Sequence, residues 1–218
     1  DGIKRSAEEP AKTNTVKWDG KPAIVFGRDD SGQFILTDKG GFVAKRYNGM
    51  ATSAKDMARV LGNRKGDYGT LIQLYAKLFP LLDRTIPQHF RGFVQADLLY
   101  SSTPPVENGA YVFTPNQVTY RVSDATPLGK QIGASEIGIA IHTEIDKPGG
   151  TVRPVTSRVL DKAPGVLVLD STMKDTGSAI NLDKGLVIKI QDTYNEYAPA
   201  IDAFLDPQEL RRRKIGSM

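Results

Sequence analysis

A chain of 218 residues that is 39% hydrophobic and 25% charged has ordinary globular composition, long enough for one good-sized core or two small ones. The absence of cysteine excludes disulfides, zinc–thiolate centres and thiol catalysis, and it points to a reducing compartment, the cytoplasm. A net charge of +4, with a pI near 9.2, suits a polyanionic partner. Apolar runs such as Gly165 to Leu169 and Gly185 to Ile190 are too short to span a bilayer, and the polar start carries no signal-peptide pattern, so no membrane partner is expected.

Residues 1–15 read as a flexible entry. Val16 to Phe26 and Gln33 to Thr37 are β-leaning runs joined by Arg28-Asp29-Asp30-Ser31-Gly32, whose Asp, Ser and Gly supply a hairpin turn. Ser53-Ala54-Lys55-Asp56 is a capping box and Gly62 a natural stop, which predicts a helix between them. Leu71, Leu74, Tyr75, Leu78 and Leu82 lie at helical spacing, so an amphipathic helix spans Gly69 to Leu82 with Pro80 near its last turn. Strands are predicted at Gly92 to Tyr100, Ala110 to Phe113, Gln117 to Val122, Glu136 to Ile145, Val166 to Asp170 and Leu186 to Gln191. Thr193 to Leu205 reads as a helix that Pro199 kinks or splits. Asp206-Pro207-Gln208-Glu209 is a strong helix start with little chain after it, which predicts that the native chain continues past Met218. The order of elements gives an α+β fold with a mostly antiparallel sheet, with one domain over 16–192 and a helical extension over 193–218.

The chemistry concentrates at Lys17-Trp18-Asp19-Gly20. A nucleophilic lysine needs a depressed pKa, supplied by partial burial or a neighbouring cation, and an inward-facing strand would provide burial. Gly20 admits a bulky ligand close to the backbone, and Asp19 can contact a ribose or orient metal-bound groups. The bland alternative is an ordinary strand and turn with Lys17 exposed. The four-residue string alone does not decide between them.

The context of that string resembles the superfamily of DNA ligases, RNA ligases and mRNA-capping enzymes. Its first motif is K-x-D-G, in which the lysine forms a phosphoramidate with a nucleoside monophosphate; here that is Lys17-Trp18-Asp19-Gly20. The family then returns through a hairpin on a strand ending in a basic residue and glycine, matched by Phe34-Ile35-Leu36-Thr37-Asp38-Lys39-Gly40. Its third motif, a strand ending in Gly-Glu, is matched in shape by Phe93-Val94-Gln95-Ala96-Asp97-Leu98. Thr15 falls where the family reads the adenine edge. The resemblance implies a ligase-like nucleotidyltransferase (adenylation) domain using ATP and Mg²⁺ or Mn²⁺. Lys17, Asp19 and Asp97 are then the catalytic residues, and Asp97 is also the metal ligand. Thr15, Trp18, Gly20, Lys21, Lys39, Phe113 and Lys189 are the nucleotide-binding residues.

More narrowly, Lys17 to Ile24, Phe113-Thr114-Pro115-Asn116 and Gly138-Ile139-Ala140-Ile141-His142-Thr143 resemble an uncharacterised ligase-like family of tailed bacteriophages, over roughly Val16 to Asp175. That likeness implies the host-cell cytoplasm. Two departures stand out. Pro22 occupies the place where cellular DNA ligases carry Arg, with Lys21 beside it as a partial substitute. The nearest string to the fourth motif, a glutamate and glycine before an apolar strand, is Lys184-Gly185-Leu186-Val187-Ile188-Lys189, with Lys184 in the glutamate's place.

His89 and His142 have no metal-site spacing. Asp170 ends an apolar strand, where carboxylates bind metal in nucleotidyl enzymes. Arg211-Arg212-Arg213-Lys214, Lys45-Arg46 and Arg64-Lys65 are candidate phosphate contacts. Trp18, Tyr111 and Phe113 are stacking candidates, although in a strand-rich fold such aromatics are more often core. The sequence therefore reads as an ATP-dependent polynucleotide ligase-like enzyme that forms a lysyl-AMP and passes the nucleotide to an RNA or DNA 5′ end. Its rival is a catalytically degenerate phage structural or nucleic-acid-binding protein that kept the fold.

Overall fold

The computed structural model describes residues 16–44, 48–62, 68–173 and 184–206. Thr15, Lys45-Arg46, Arg64-Lys65, Arg211 to Lys214, the expected entry segment and the helix expected after Asp206 lie outside the described residues. The chain divides into two compact units, Lys17–Thr172 and a second drawn from both ends, whose described part is Val16, Met173 and residues 184–206. The boundary expected between 192 and 193 instead falls inside a continuous helix.

In chain order the strands and helices begin with β1 (Val16–Lys17), β2 (Ala23–Arg28), β3 (Phe34–Asp38) and a short α1 (Lys39–Phe42). A 3-10 turn at Ala54–Asp56 then leads into α2 (Met57–Gly62), followed by α3 (Gly69–Asp83) and β4 (Gly92–Tyr100). Next come β5 (Val106–Glu107), β6 (Ala110–Phe113), β7 (Tyr120–Ser123), α4 (Pro127–Gly133) and β8 (Ser135–Ile145). There follow β9 (Val152–Pro154), a 3-10 turn at Ser157–Val159, β10 (Gly165–Asp170) and β11 (Thr172–Met173), which pairs with β1. The fold is α+β with mostly antiparallel sheets. The main sheet has the order β10-β8-β4-β2-β3, with β9 also paired to β8, and the β8–β10 pair alone in it is parallel. A second sheet has the order β5-β6-β7.

Period-two alternation gives the main sheet two different faces. Ile24, Phe26, Leu36, Val94, Ala96, Leu98, Ile137, Ile139 and Ile141 line one of them and pack against α2 and α3 through Val60, Leu61, Tyr75, Leu78 and Leu82. At one end the opposite face carries a smaller cluster of Val25, Ile35, Phe42, Phe93 and Ile145. The capping box of α2 forms as read, with the Asp56 N–H donating to Ser53 Oγ at 3.2 Å.

Asp56 also accepts from Arg59, at 2.5 Å from Nε and 2.8 Å from Nη2. The Arg59 bonds, ahead of the amide of Thr52, hold its carboxyl below the usual carboxylate range. A depressed carboxylate adds stability above the unfolded value near 3.9, and that stability is lost as pH falls through the lower folded value. Asp56→Asn is therefore expected to melt earlier than the parent at pH 7, with the gap closing below about pH 3 in thermal melts across pH.

The structure corrects the sequence reading in three places. Val16 to Phe26 is not one strand: β1 stops at Lys17, and residues 18–22 turn before β2 begins. Arg28, read as part of the hairpin turn, is the last residue of β2 and is buried, because the two-residue period sets it on the helix-packed face with Ile24 and Phe26. The strand expected at Leu186 to Gln191 is the start of α5 (Lys184–Phe204). Its β-branched run favoured a strand locally, but Leu186, Ile190, Tyr194, Tyr197 and Ile201 continue a helical period over most of the segment, and that longer pattern wins. Pro199 lies within this single helix.

Candidate active site

Trp18 fixes the K-x-D-G turn. Its indole is only 2% exposed and lies against Tyr120, with ring centroids 4.7 Å apart, and stacks on Phe113 at 6.4 Å with 14° between planes. Phe113 in turn meets Tyr120 and Tyr100, both at 5.4 Å. Burial pushes the Tyr100 phenol up to about 12. The Ser135 hydroxyl donates to the Ile132 carbonyl, so the neutral Tyr100 phenol donates to Ser135 at 2.6 Å. The aromatic faces of Trp18 and Phe113 are thus occupied by one another and by Tyr120. This corrects the expectation that they stack on a base: they are the packing that anchors the turn.

With Trp18 turned inward, alternation turns its neighbour outward, and Lys17 is exposed rather than inward-facing. Its ammonium has no hydrogen-bond or ion-pair partner among the described residues. Asp19 is half-buried and held twice. Its N–H donates to the Tyr120 hydroxyl at 2.7 Å, and its Oδ2 accepts from Asn116 Nδ2 at 2.9 Å. The Trp18 N–H donates to the Ser171 carbonyl, and the Lys21 N–H to Leu98, both at 3.0 Å.

Gly20 joins this turn to β4. A Cβ at Gly20 would collide with the Leu98 carbonyl and lie 3.0 Å from Asp97 Cβ. Gly20 therefore packs directly on the strand that carries Asp97. Gly20→Ala is expected to push the turn off β4 at a cost of about 1–3 kcal/mol, the scale of overpacking, read as a lower melting temperature.

Asp97 lies opposite the helix-packed face, paired in register with Ala23 on one side and Ala140 on the other. Asp97 Oδ2 lies 2.9 Å from His142 Nε2, with only 15% and 12% of the two side chains exposed. The contact is close but is not a linear hydrogen bond, which leaves the His142 nitrogen without a well-aligned acceptor. Asp38, the last residue of β3, pairs with Ile24, and Lys39 follows it as the first residue of α1. Lys39 is exposed at the start of α1, where Asp38 Oδ1 accepts from the Gly41 N–H at 2.7 Å.

The fold thus brings together Trp18, Asp19, Gly20, Phe113 and Asp97, with Lys17 just before the turn, Lys21 within it and Lys39 at the start of α1. Lys189 is exposed on α5, in the second unit, and so is not on the strand of a fourth motif. Asp170 is a capping group: its Oδ1 accepts from the Ser157 N–H at 2.6 Å and steadies the 3-10 turn there. Tyr111 lies on β6. His89 is exposed. Clefts beside β10, lined by Ser157, Arg158 and Lys162, and beside Asp29 and Met50 contain none of these residues. Sequence reasoning assigned no role to Asn116 or Tyr120. Asn116 lay in a quoted string without a function attached, and Tyr120 carried no signal.

A family model described as a family of unknown function (DUF6267) matches residues 4–211, so the chain belongs to that family. No curated protein and no solved structure matches it.

Proposed function

We propose that this DUF6267 protein is a covalent nucleotidyltransferase of the ligase type, in which Lys17 takes a nucleoside monophosphate from ATP or GTP. The observation that carries the reading is the packing of Gly20 on Asp97. Gly20 and Asp97, 77 residues apart in sequence, meet on the face of the sheet opposite the helices.

In the proposed step the lone pair of neutral Lys17 Nζ forms a bond to the α-phosphorus. The bond from that phosphorus to its bridging oxygen breaks, pyrophosphate leaves with the electron pair, and the proton released from nitrogen passes to solvent. Lys39 and Lys21 offset phosphate charge, and Asp19 faces the ribose with the oxygen that Asn116 leaves unused. Mg²⁺ is typically held by one or two carboxylates together with substrate phosphates, and the Asp97 oxygen not in contact with His142 fits such a site. A metal there would supply charge neutralisation at the phosphates. No group of three His, Cys, Asp or Glu residues suited to an all-protein metal cage exists among the described residues. Transfer onward to an RNA or DNA 5′ end completes the proposed ligase-like function.

Label supplied at the α-phosphate of ATP or GTP should stay with the protein through denaturing electrophoresis, whereas label at the γ-phosphate should not. Absence of α-label with either nucleotide would overturn the reading.

A second reading, a fold-retaining nucleic-acid-binding or structural protein without the chemistry, is favoured by two observations. Lys17 is exposed, as in an ordinary strand and turn. Lys184 to Lys189, the nearest match to the fourth motif, is helical rather than a strand. That reading predicts binding to single-stranded or nicked nucleic acid with no covalent label.

A further inference from the structure

We propose that the β5-β6-β7 sheet positions the lysine turn, and that Asn116 and Tyr120 are positioning residues for the Lys17 chemistry. The inference rests on the reading of Lys17 as the nucleophile, and it adds two residues to which nothing in the sequence assigned a role.

The argument begins with what packing alone requires. Phe113, Tyr120 and Trp18 form an apolar cluster, and a phenylalanine at 120 would fill the same space. The Tyr120 hydroxyl is not needed for that packing. It nevertheless accepts a 2.7 Å hydrogen bond from the backbone of Asp19, across 101 residues of sequence. Asn116 presents the complementary case. It is exposed in the loop joining β6 to β7, where burial gives its side chain no reason to be ordered. Even so, it donates to Asp19 Oδ2 at 2.9 Å. Exposed polar contacts contribute little to stability, so the effect of this one lies in where it holds Asp19.

Both bonds reach the same residue from the same hairpin. One fixes the peptide plane between Trp18 and Asp19, and the other fixes the Asp19 side chain. With the indole of Trp18 already locked, the backbone that carries Lys17 and Asp19 has little freedom left. Productive attack needs the amine within about 3–3.5 Å of phosphorus and in line with the leaving group, and a misplacement of ~1 Å costs about a hundredfold.

The test uses the full chain and compares Tyr120→Phe, Asn116→Ala and Asn116→Asp, the last of which sets a carboxylate against Asp19. Three quantities are read: the rate of covalent labelling at saturating ATP, the ATP concentration for half-maximal rate, and the melting curve. Labelling is expected to slow about tenfold or more in Asn116→Asp and several-fold in the other two. Half-saturation should move less than about twofold, and the Asn116 variants should melt within about 2 °C of the parent. Asn116→Ser, which restores a donor, should recover part of the rate. If the parent is labelled and all three variants match its rate, or if rate falls only together with melting temperature, the positioning role is overturned and the lysine chemistry stands. If the parent itself is not labelled, both fall together.

Discussion

Arg28→Ala is expected to lose about 3 kcal/mol or more of folding stability, as much as truncating a core side chain. The guanidinium is 3% exposed at the end of β2 and is the common donor for the chain that follows α3. It donates to Asp83 Oδ1 at 2.7 Å and to the carbonyls of Asp83, Ile86, Pro87 and Gly32 at 3.2–3.3 Å. It also lies 5.8 Å from the centre of the Phe34 ring. The Asp83 side chain is 42% exposed, so the ion pair itself contributes little of the total. The larger share comes from carbonyls that lose their donor at a buried turn, each costing about 1–3 kcal/mol when left unsatisfied. Arg28→Lys keeps the charge but has one donor group where the guanidinium has a fork, so it should recover less than half of the loss. Chemical denaturation of the three proteins checks this. A loss below about 1 kcal/mol for Arg28→Ala would mean that water replaces the guanidinium freely at this turn.

Lys17→Ala is expected to abolish covalent nucleotide labelling and leave the melting curve unchanged. The first half follows from the proposed role as nucleophile; the second follows from position, since the side chain is exposed and has no partner among the described residues, so the fold does not depend on it. Lys17→Arg should be equally inactive, because a guanidinium stays protonated and has no lone pair to offer phosphorus. The pair of variants separates nucleophilicity from positive charge. If arginine supported labelling, the acceptor would be another residue and Lys17 a charge contact only. Retained labelling in the alanine variant would carry the same message.

How far the sequence reading reached can be traced residue by residue. Strands with clean alternation or strong turn punctuation were legible to within a residue, as for β4 at Gly92–Tyr100 and β6 at Ala110–Phe113. The helix at Gly69–Asp83 was legible for the same reason, since its leucines keep a single period up to Pro80. Leu186 to Gln191 was misread because a short β-branched run looks alike in a strand and in a helix, and only the residues further on resolve it. Short elements such as α4 and β9 carry too few residues for any period to register. In the site, the contact of Gly20 with the strand of Asp97, a glycine seated on the Leu98 carbonyl, was not legible, because it joins positions far apart in sequence. The exposure of Lys17 follows from the burial of Trp18, and that burial depends on Phe113 and Tyr120, which are distant in sequence. Arg28 was misread for a related reason: a charged residue beside Asp-Asp-Ser-Gly looks like part of the turn until its acceptors, more than 50 residues away, are known.

The most direct test of the central claim is the intact mass of the purified chain after incubation with ATP or GTP and Mg²⁺ or Mn²⁺, followed by peptide mapping. The account predicts a gain of one nucleoside monophosphate, located on Lys17 and reversed by added pyrophosphate. An unmodified mass under every combination, or an adduct mapped to a different residue, would contradict it.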